Sequence, residues 1–183
     1  MRLLVLGALY LTEGIAMINQ FQKLTNFSTF IWSKAPYQSY LIGQYDTGLL
    51  DRGWMLGTDQ SNEKRMRVLL SDNGTYASDH SKDYLTTNNV FDNNWHLYGF
   101  DWNAGSLRLD VDGVPQSVTK TYDAAFTSIF RSSSDIVVGA RIISNVPSGF
   151  YTGDVGEYYV FGRSTSPAES LNLFNKTRKF YGR

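Results

Sequence analysis

The sequence predicts an all-β fold, a two-sheet antiparallel sandwich (jelly roll) with one short C-terminal helix. Short stretches rich in aromatic and β-branched residues recur along the chain, and turn signals separate them about every ten residues. The 16 glycines and only 4 prolines suit a protein with many tight turns. A sequence that favours a helix start occurs once, near the C-terminus. Together these features favour two packed antiparallel sheets.

The clearest element is a β-hairpin within residues 93–113. A strand is predicted from Trp95 to Trp102, a turn at residues 103–105, and a second strand over residues 106–111. Alternation along the first strand puts two sets of apolar side chains on opposite faces, so this strand should join two packed layers. The two sets are Tyr98, Phe100 and Trp102 on one face, and Trp95 and Leu97 on the other.

The other strands follow from apolar runs between turn signals. They are predicted at residues 3–11, 15–21, 26–33, 40–45, 54–57, 66–70, 114–119, 136–140 and 149–161. The apolar N-terminal run is interpreted as buried strand rather than a signal peptide. Residues 71–75 predict a turn, and residues 76–92 a long loop with at most a short strand. By parity with Val155 and Tyr159, Glu157 should point into the core and need a structural partner.

One helix is predicted after Ser166. The residues Ser166-Pro167-Ala168-Glu169 form a capping box with proline at the first helical position. The helix should end near residues 176–178, and Phe180 and Tyr181 should hold the tail against the sandwich.

Length and charge narrow the function classes. With 183 residues and no linker or repeat, residues 1–183 are expected to form a single domain. Lys+Arg and Asp+Glu both number 17, without the basic excess that binding to nucleic acid normally requires. No apolar run reaches the roughly 20 residues that span a membrane, so no membrane span is expected. The chain contains no cysteine, which excludes disulfides and thiolate metal sites.

An ordered set of motifs resembles the laminin-G-like, concanavalin-A-like lectin jelly rolls. The matching stretches are FSTFIW at 27–32, WHLY at 95–98, DVDG at 110–113, VGA at 138–140, GDVGE at 153–157 and SPAE at 166–169. The C-terminal tail is most similar to members in tailed-phage structural proteins and bacterial surface proteins. The resemblance implies a jelly roll located on a virion or extracellular surface. It also implies a homo-oligomer or a part of a larger complex.

No catalytic residues are predicted. Related glucanases carry an E-x-D-x-E run on one strand, which this sequence lacks, and Asp110 and Asp112 are interpreted as turn formers. The two histidines, His80 and His96, accompany no nucleophile motif. The chain is therefore expected not to be an enzyme; a glycan hydrolase would require two carboxylates from distant strands to meet.

No cofactor is predicted, and calcium is kept as an alternative. Lectin-like jelly rolls often bind Ca²⁺ through loop carboxylates and carbonyls. The candidate ligands are Asp46, Asp51 and Asp154, with Asp72 and Asn73 as a further pair. The competing interpretation is that these residues only form turns.

Glycan binding needs aromatic platforms beside polar loop residues. Aromatic residues that qualify by type alone are Tyr76, Tyr84 and Trp102, although most Trp and Tyr of a sandwich belong to the core. The predicted glycan-binding residues are Tyr45, Trp54, Asp72, Asn73 and Tyr151.

The leading hypothesis is a non-catalytic binding or structural module of a virion or cell-surface assembly, contacting protein neighbours, surface glycans or both. The alternative is a soluble or secreted carbohydrate-binding lectin, either with or without bound calcium.

Overall fold

The structure, a computed structural model, describes residues 9–10, 24–35, 40–58 and 64–183. These residues form two β-sheets and one α-helix, which confirms the predicted sandwich. The strands are β1 Leu9–Tyr10, β2 Asn26–Lys34, β3 Tyr40–Asp46, β4 Asp51–Thr58, β5 Met66–Gly74, β6 Ser81–Thr86, β7 Trp95–Asn103, β8 Ser106–Val111, β9 Val114–Pro115, β10 Val118–Asp123, β11 Val137–Val138, β12 Arg141–Ile143, β13 Val146–Ser148 and β14 Asp154–Phe161. The predicted strand at residues 15–21, and most of that at 3–11, lie outside the described residues.

The two sheets differ in size. The larger has the order β1-β11-β3-β4-β5-β6-β10, with β12 beside β3 and β13 beside β12. The smaller has the order β14-β2-β7-β8-β9. The pairing of β12 with β3 is parallel, through Ile142 and Asp46.

The core lies between the inner faces of the two sheets. Phe27 packs at 4.9 Å from Trp54 and at 5.7 Å from Phe100, measured between ring centroids. Each large side chain buried in this way contributes about 1.5–3 kcal/mol. The predicted alternation along β7 is confirmed, since Tyr98, Phe100 and Trp102 lie in this core while Leu97 faces the other side.

The helix α1, Pro167–Thr177, covers the outer face of the smaller sheet. Its predicted capping box is present, with Ser166 and Glu169 each bonding the other's backbone amide. The ring of Trp32 stacks on Tyr181 at 4.3 Å, and its Nε1 donates to Thr177 Oγ1 at 2.9 Å. Tyr181 thus holds the tail as predicted, whereas Phe180 is 67% exposed, and its predicted role was wrong. Among the described residues, no helix covers the outer face of the larger sheet.

The segment after β5 is more regular than its sequence predicts. β5 continues to Gly74, and all six residues of the following strand, Ser81–Thr86, are buried. Its two charged residues conceal the strand pattern because they are buried as ion pairs. Lys82 Nζ lies 2.7 Å from Asp123 Oδ1, and Asp83 binds Arg67.

Glu157 corrects a further prediction. The register of β14 shifts between Val155 and Tyr158, so the parity used to place Glu157 in the core does not hold. Its side chain is exposed and accepts a hydrogen bond from the Tyr159 hydroxyl at 2.5 Å.

No helix in the described ranges is long and apolar enough to cross a membrane.

Candidate functional site

A groove of about 180 Å³ lies on the outer face of the larger sheet. Strands β3, β4 and β5 form its floor, and β12 and the segment after β5 form its sides. Aromatic and basic side chains predominate in it. The lining residues are Tyr40, Tyr45, Thr47, Arg52, Met55, Arg67, Leu69, Tyr76 and Arg141.

The floor of the groove is apolar. Strand register puts Met55 opposite Gly43 on one side and Leu69 on the other. Tyr45, Met55 and Leu69 form a small cluster, separate from the core, in which each side chain is less than a tenth exposed. Because Gly43 has no side chain, no side-chain atoms of this residue project from the floor between Tyr40 and Met55.

Each of the three lining arginines lies against a tyrosine. The guanidinium carbon is 5.9 Å from the ring centroid for Arg52 and Tyr45, and 5.9 Å for Arg67 and Tyr76. For Arg141 and Tyr40 the distance is 5.1 Å. Such cation–π contacts fix the orientation of the flexible arginines around the floor.

Arg67 and Tyr76 are further held by the buried carboxylate of Asp83. Arg67 donates to it from Nε at 2.8 Å and from Nη2 at 2.6 Å, and the Tyr76 hydroxyl donates at 2.7 Å. Burial, together with this hydrogen bond and the charge of Asp83, raises the pKa of Tyr76. On this side of the groove, Asp83 therefore neutralises the charge of Arg67 within a closed hydrogen-bond network.

The opposite side is held by Asp46, which joins two hairpins. Its carboxylate accepts backbone amides of Gly48 at 2.7 Å, Ser144 at 2.8 Å and Asn145 at 2.7 Å. Burial alone would raise the pKa of Asp46, but the amide donors outweigh it and lower that pKa. Asp46 thereby fixes the β3–β4 turn, which leads to Arg52, against the β12–β13 turn, which follows Arg141.

Of the five predicted glycan-binding residues, the structure brings only Tyr45 into the groove. Its ring forms part of the floor. Burial raises the pKa of Tyr45 to about 12, although the charges of Arg52 and Arg67 act in the opposite direction.

Trp54 and Tyr151 belong to the core between the sheets and not to the groove, which corrects the sequence prediction. Parity on β4 turns Trp54 toward Phe27. The hydroxyl of Tyr151 contacts Ser33 Oγ and donates to the carbonyl of Lys34 at 2.9 Å.

Asp72 and Asn73 lie at the end of β5, away from the groove lining. Asp72 Oδ1 is 2.9 Å from Nδ1 of His80. The side chain of Asn73 accepts the amide of Thr75 at 2.9 Å, as a turn-forming Asn does.

The three predicted calcium ligands do not come together. Asp46 is saturated by amides, and Asp51 accepts from the amide and hydroxyl of Ser133 at 3.0 and 2.7 Å. Asp154 lies in the smaller sheet, opposite Lys34. In the part of the chain that the structure describes, no three His, Cys, Asp or Glu side chains cluster as metal ligands would. These residues therefore do not fit a shared calcium site.

Asp110 and Asp112 both have structural partners. Buried Asp110 accepts a fork from Arg108 at 2.9–3.2 Å and the hydroxyl of Ser170 at 2.9 Å, which ties α1 to β8. Asp112 has a φ of 53° in the turn after β8, and its carboxylate lies 2.8 Å from Nδ1 of His96. Asp112 is therefore a turn former as predicted, whereas Asp110 lies within β8 and its interpretation as a turn former was wrong.

Sequence reasoning did not identify the arginines Arg52, Arg67 and Arg141 or Tyr40 as site residues. The alternation of side chains along β5 could have identified Arg67. Met66, Val68 and Leu70 point into the core, so residues 67 and 69 between them point outward. Arg141 had no such signal, since its place beside β3 depends on a long-range parallel pairing.

Comparisons with known structures find the same fold at low identity. The carbohydrate-binding module CBM40 of the Ruminococcus gnavus IT-sialidase, bound to α2,3-sialyllactose, has a TM-score of 0.67 at 12% identity, covering 91% of each chain. A heptameric SAP-like pentraxin from Limulus polyphemus has a TM-score of 0.57 at 11% identity, covering 84% of this chain and 72% of that chain. The receptor-binding domain of botulinum neurotoxin type G also has a TM-score of 0.57, at 18% identity, covering 84% and 38%.

No curated protein sequence matches the chain at a significant level. A family profile, however, matches residues 15–169, which is most of the chain. With the two-sheet sandwich and its terminal helix, this match shows that the chain belongs to the concanavalin A-like lectin/glucanases superfamily.

Proposed function

We propose that this chain is a non-catalytic glycan-binding module and that its ligand lies in the groove on the larger sheet. The observation that carries the proposal is the pairing of an apolar floor with tyrosines and guanidinium donors at its sides. Sugar rings pack their C–H faces on apolar and aromatic surfaces, while their hydroxyl groups need polar partners. The groove offers both within one concave surface.

The charges of the groove support binding rather than hydrolysis. Glycoside hydrolysis uses two carboxylates, about 5–5.5 Å apart in retaining enzymes and about 6.5–9.5 Å apart in inverting ones. Among the described residues that line the groove there is no carboxylate. The nearest one in the network, Asp83, is buried and held by Arg67 and Tyr76.

The structural neighbours support the same class of ligand by analogy. One of them is a carbohydrate-binding module whose structure contains a sialylated sugar. At 12% identity this likeness concerns the fold, so the argument for this chain depends on its own groove.

A glycan array probed with the purified chain tests the proposal. We expect selective binding that Tyr76→Ala weakens at least about tenfold, because the change removes a ring at the side of the groove and one partner of Asp83. Phe180→Ala is the matched control, since it removes an exposed aromatic ring on the far side of the molecule. Equal loss in both variants, or no glycan bound by the wild-type chain, would contradict the proposal.

A role in a virion or cell-surface assembly, as a homo-oligomer or beside protein neighbours, is the second candidate. It is favoured by exposed apolar side chains next to the groove, Leu49 and Leu50 on the β3–β4 turn and Val146 at the start of β13. Light scattering of the chain in solution, with Leu50→Ser as the variant, tests it. We expect a defined oligomer that the substitution dissociates, and a wild-type monomer would argue against self-association.

A soluble or secreted lectin, with calcium binding left open, is the other function that the sequence predicts. Repeating the array with a chelator tests the calcium dependence directly. Because Asp46 and Asp51 are occupied by amides and hydroxyl groups, we expect binding to persist after chelation.

A further inference from the structure

The positive charge of the groove is unevenly neutralised. The chain as a whole carries equal numbers of basic and acidic residues, 17 of each, yet three arginines and no acidic residue line this groove in the described ranges. Arg67 is paired with Asp83. Within the same ranges no carboxylate forms an ion pair with Arg52 or Arg141. The excess charge therefore lies on the β12–β3–β4 side.

Strand pairing brings these two arginines to the same place. Tyr45 is opposite Arg52, and the pairing of Ile142 with Asp46 puts Arg141 on the other side of Tyr45. Two guanidinium groups thus flank one ring of the apolar floor. A ligand whose ring lies on Tyr45 would have both within its reach.

Both guanidinium groups are oriented but still have donors available. Arg52 Nη2 donates to the carbonyl of Thr47 at 2.7 Å, and Arg141 Nη1 donates to the Tyr40 hydroxyl at 2.9 Å. Nε of Arg141 is buried without an acceptor in the described part of the chain, so the donors that a ligand can use are those on its Nη atoms. A guanidinium has five N–H donors, and these contacts with neutral oxygens use one in each case. The charge remains unneutralised while the cation–π contacts restrict the orientation.

We propose that this groove selects saccharides that carry a carboxylate or sulfate group, and that Arg52 and Arg141 bind this group while the sugar ring packs on Tyr45. The inference rests on the glycan-binding function proposed above and narrows its ligand class. A guanidinium fork matches the spacing of carboxylate and sulfate oxygens and forms charge-assisted hydrogen bonds with them. A neutral saccharide would leave two positive charges without a counter-charge beside an apolar surface, which is a less favourable arrangement.

Matched neutral and acidic ligands test the inference by calorimetry. The first pair is a galacturonic acid tetramer and its methyl ester, in which a small methyl group replaces each carboxylate charge. The second pair is lactose 3′-sulfate and lactose, which isolates the sulfate group. Any acidic ligand found on the array is measured in the same way against its neutral core. We expect at least about tenfold tighter binding of the acidic member in one of these pairs, weakening as sodium chloride rises from about 50 to 500 mM.

Variants then assign the effect to the two arginines. We expect Arg52→Gln and Arg141→Gln each to weaken the acidic ligand at least about tenfold and the neutral core by less than about twofold. Arg178→Gln is the control, because it removes the same charge from an exposed position on the far side, and it should leave affinity unchanged. Far-UV circular dichroism and a thermal melt confirm that each variant is folded, and the salt dependence of the wild-type chain provides a readout independent of the variants.

The outcomes separate this inference from the function on which it rests. Neutral glycans that bind as tightly as acidic ones, or arginine variants that keep full affinity, would overturn the acidic ligand class and leave the glycan-binding module intact. An array without any bound glycan would overturn both.

Discussion

Replacing Asp83 with Asn removes one negative charge from beneath the groove without changing the size of the side chain. The residue is completely buried, and its carboxylate accepts three hydrogen bonds from Arg67 and Tyr76. In the amide, Oδ1 still accepts from Nε of Arg67. The other oxygen becomes an NH₂ donor that faces Nη2 of Arg67, so two donors point at each other.

The expected loss of stability follows from these contacts. A hydrogen bond to a charged group contributes about 1.5–3 kcal/mol, and breaking a buried ion pair costs about 3–5 kcal/mol. Arg67 has 17% of its side chain exposed, so water in the groove can partly replace the lost partner. We therefore expect the free energy of unfolding to fall by about 3 kcal/mol, which for a chain of this size lowers the Tm by about 6–12 °C.

Urea unfolding followed by far-UV circular dichroism measures the change. Arg67→Met and the double variant complete a mutant cycle, for which we expect a coupling energy of at least about 1.5 kcal/mol because the two residues share their hydrogen bonds. A loss below about 1 kcal/mol in Asp83→Asn, or additive effects in the double variant, would refute the view that this pair organises the side of the groove.

Three further substitutions test the scaffold. Gly113→Ala should destabilise the fold by about 2–3 kcal/mol in a urea titration, because φ is +75° and the new Cβ would lie 2.5 Å from the backbone of α1; a neutral effect would contradict this docking. Thr177→Val should cost about 1–2 kcal/mol by leaving Nε1 of Trp32 buried without an acceptor, whereas Thr177→Ser should be much milder. Burial disfavours the charged form of His96, but its hydrogen bond with Asp112 and the charge of Asp112 outweigh this and raise its pKa. That raised pKa stabilises the fold fully below the unfolded-state value of about 6.5, and the stabilisation is lost as the pH rises through the folded pKa. The stability difference between wild type and His96→Gln should accordingly shrink from pH 6 to pH 9, and a constant difference would exclude the ion pair.

The architecture was predictable because its signals are local. Alternation along β7, the turn at Asp112–Gly113 and the capping box at Ser166 each involve few neighbouring residues, and the structure contains all three. Strand β6 was predictable only in part, since Lys82 and Asp83 look like loop residues until partners elsewhere in the chain bury them.

The groove was less accessible to sequence reasoning because it depends on which strands are neighbours. Aromatic type alone cannot separate Tyr45 in the groove from Trp54 in the core, as their positions depend on β-bulges and on the register of β3 with β4. Arg141 enters the site only through the pairing of β12 with β3. A one-residue shift in β14 likewise turned Glu157 outward.

The carboxylate of Asp46 has a consequence for how ligand preference can change within such a fold. It fixes the turn before Arg52 and the turn after Arg141 in one arrangement, so the two guanidinium groups keep a set separation. Lengthening either turn, or replacing Ser144 or Asn145 with proline, which lacks the donated amide hydrogen, would alter that separation without changing any residue that contacts a ligand. If the groove binds acidic sugars as proposed above, two chains with identical groove residues would prefer sugars of different size, and the amino-acid difference responsible would lie outside the groove lining.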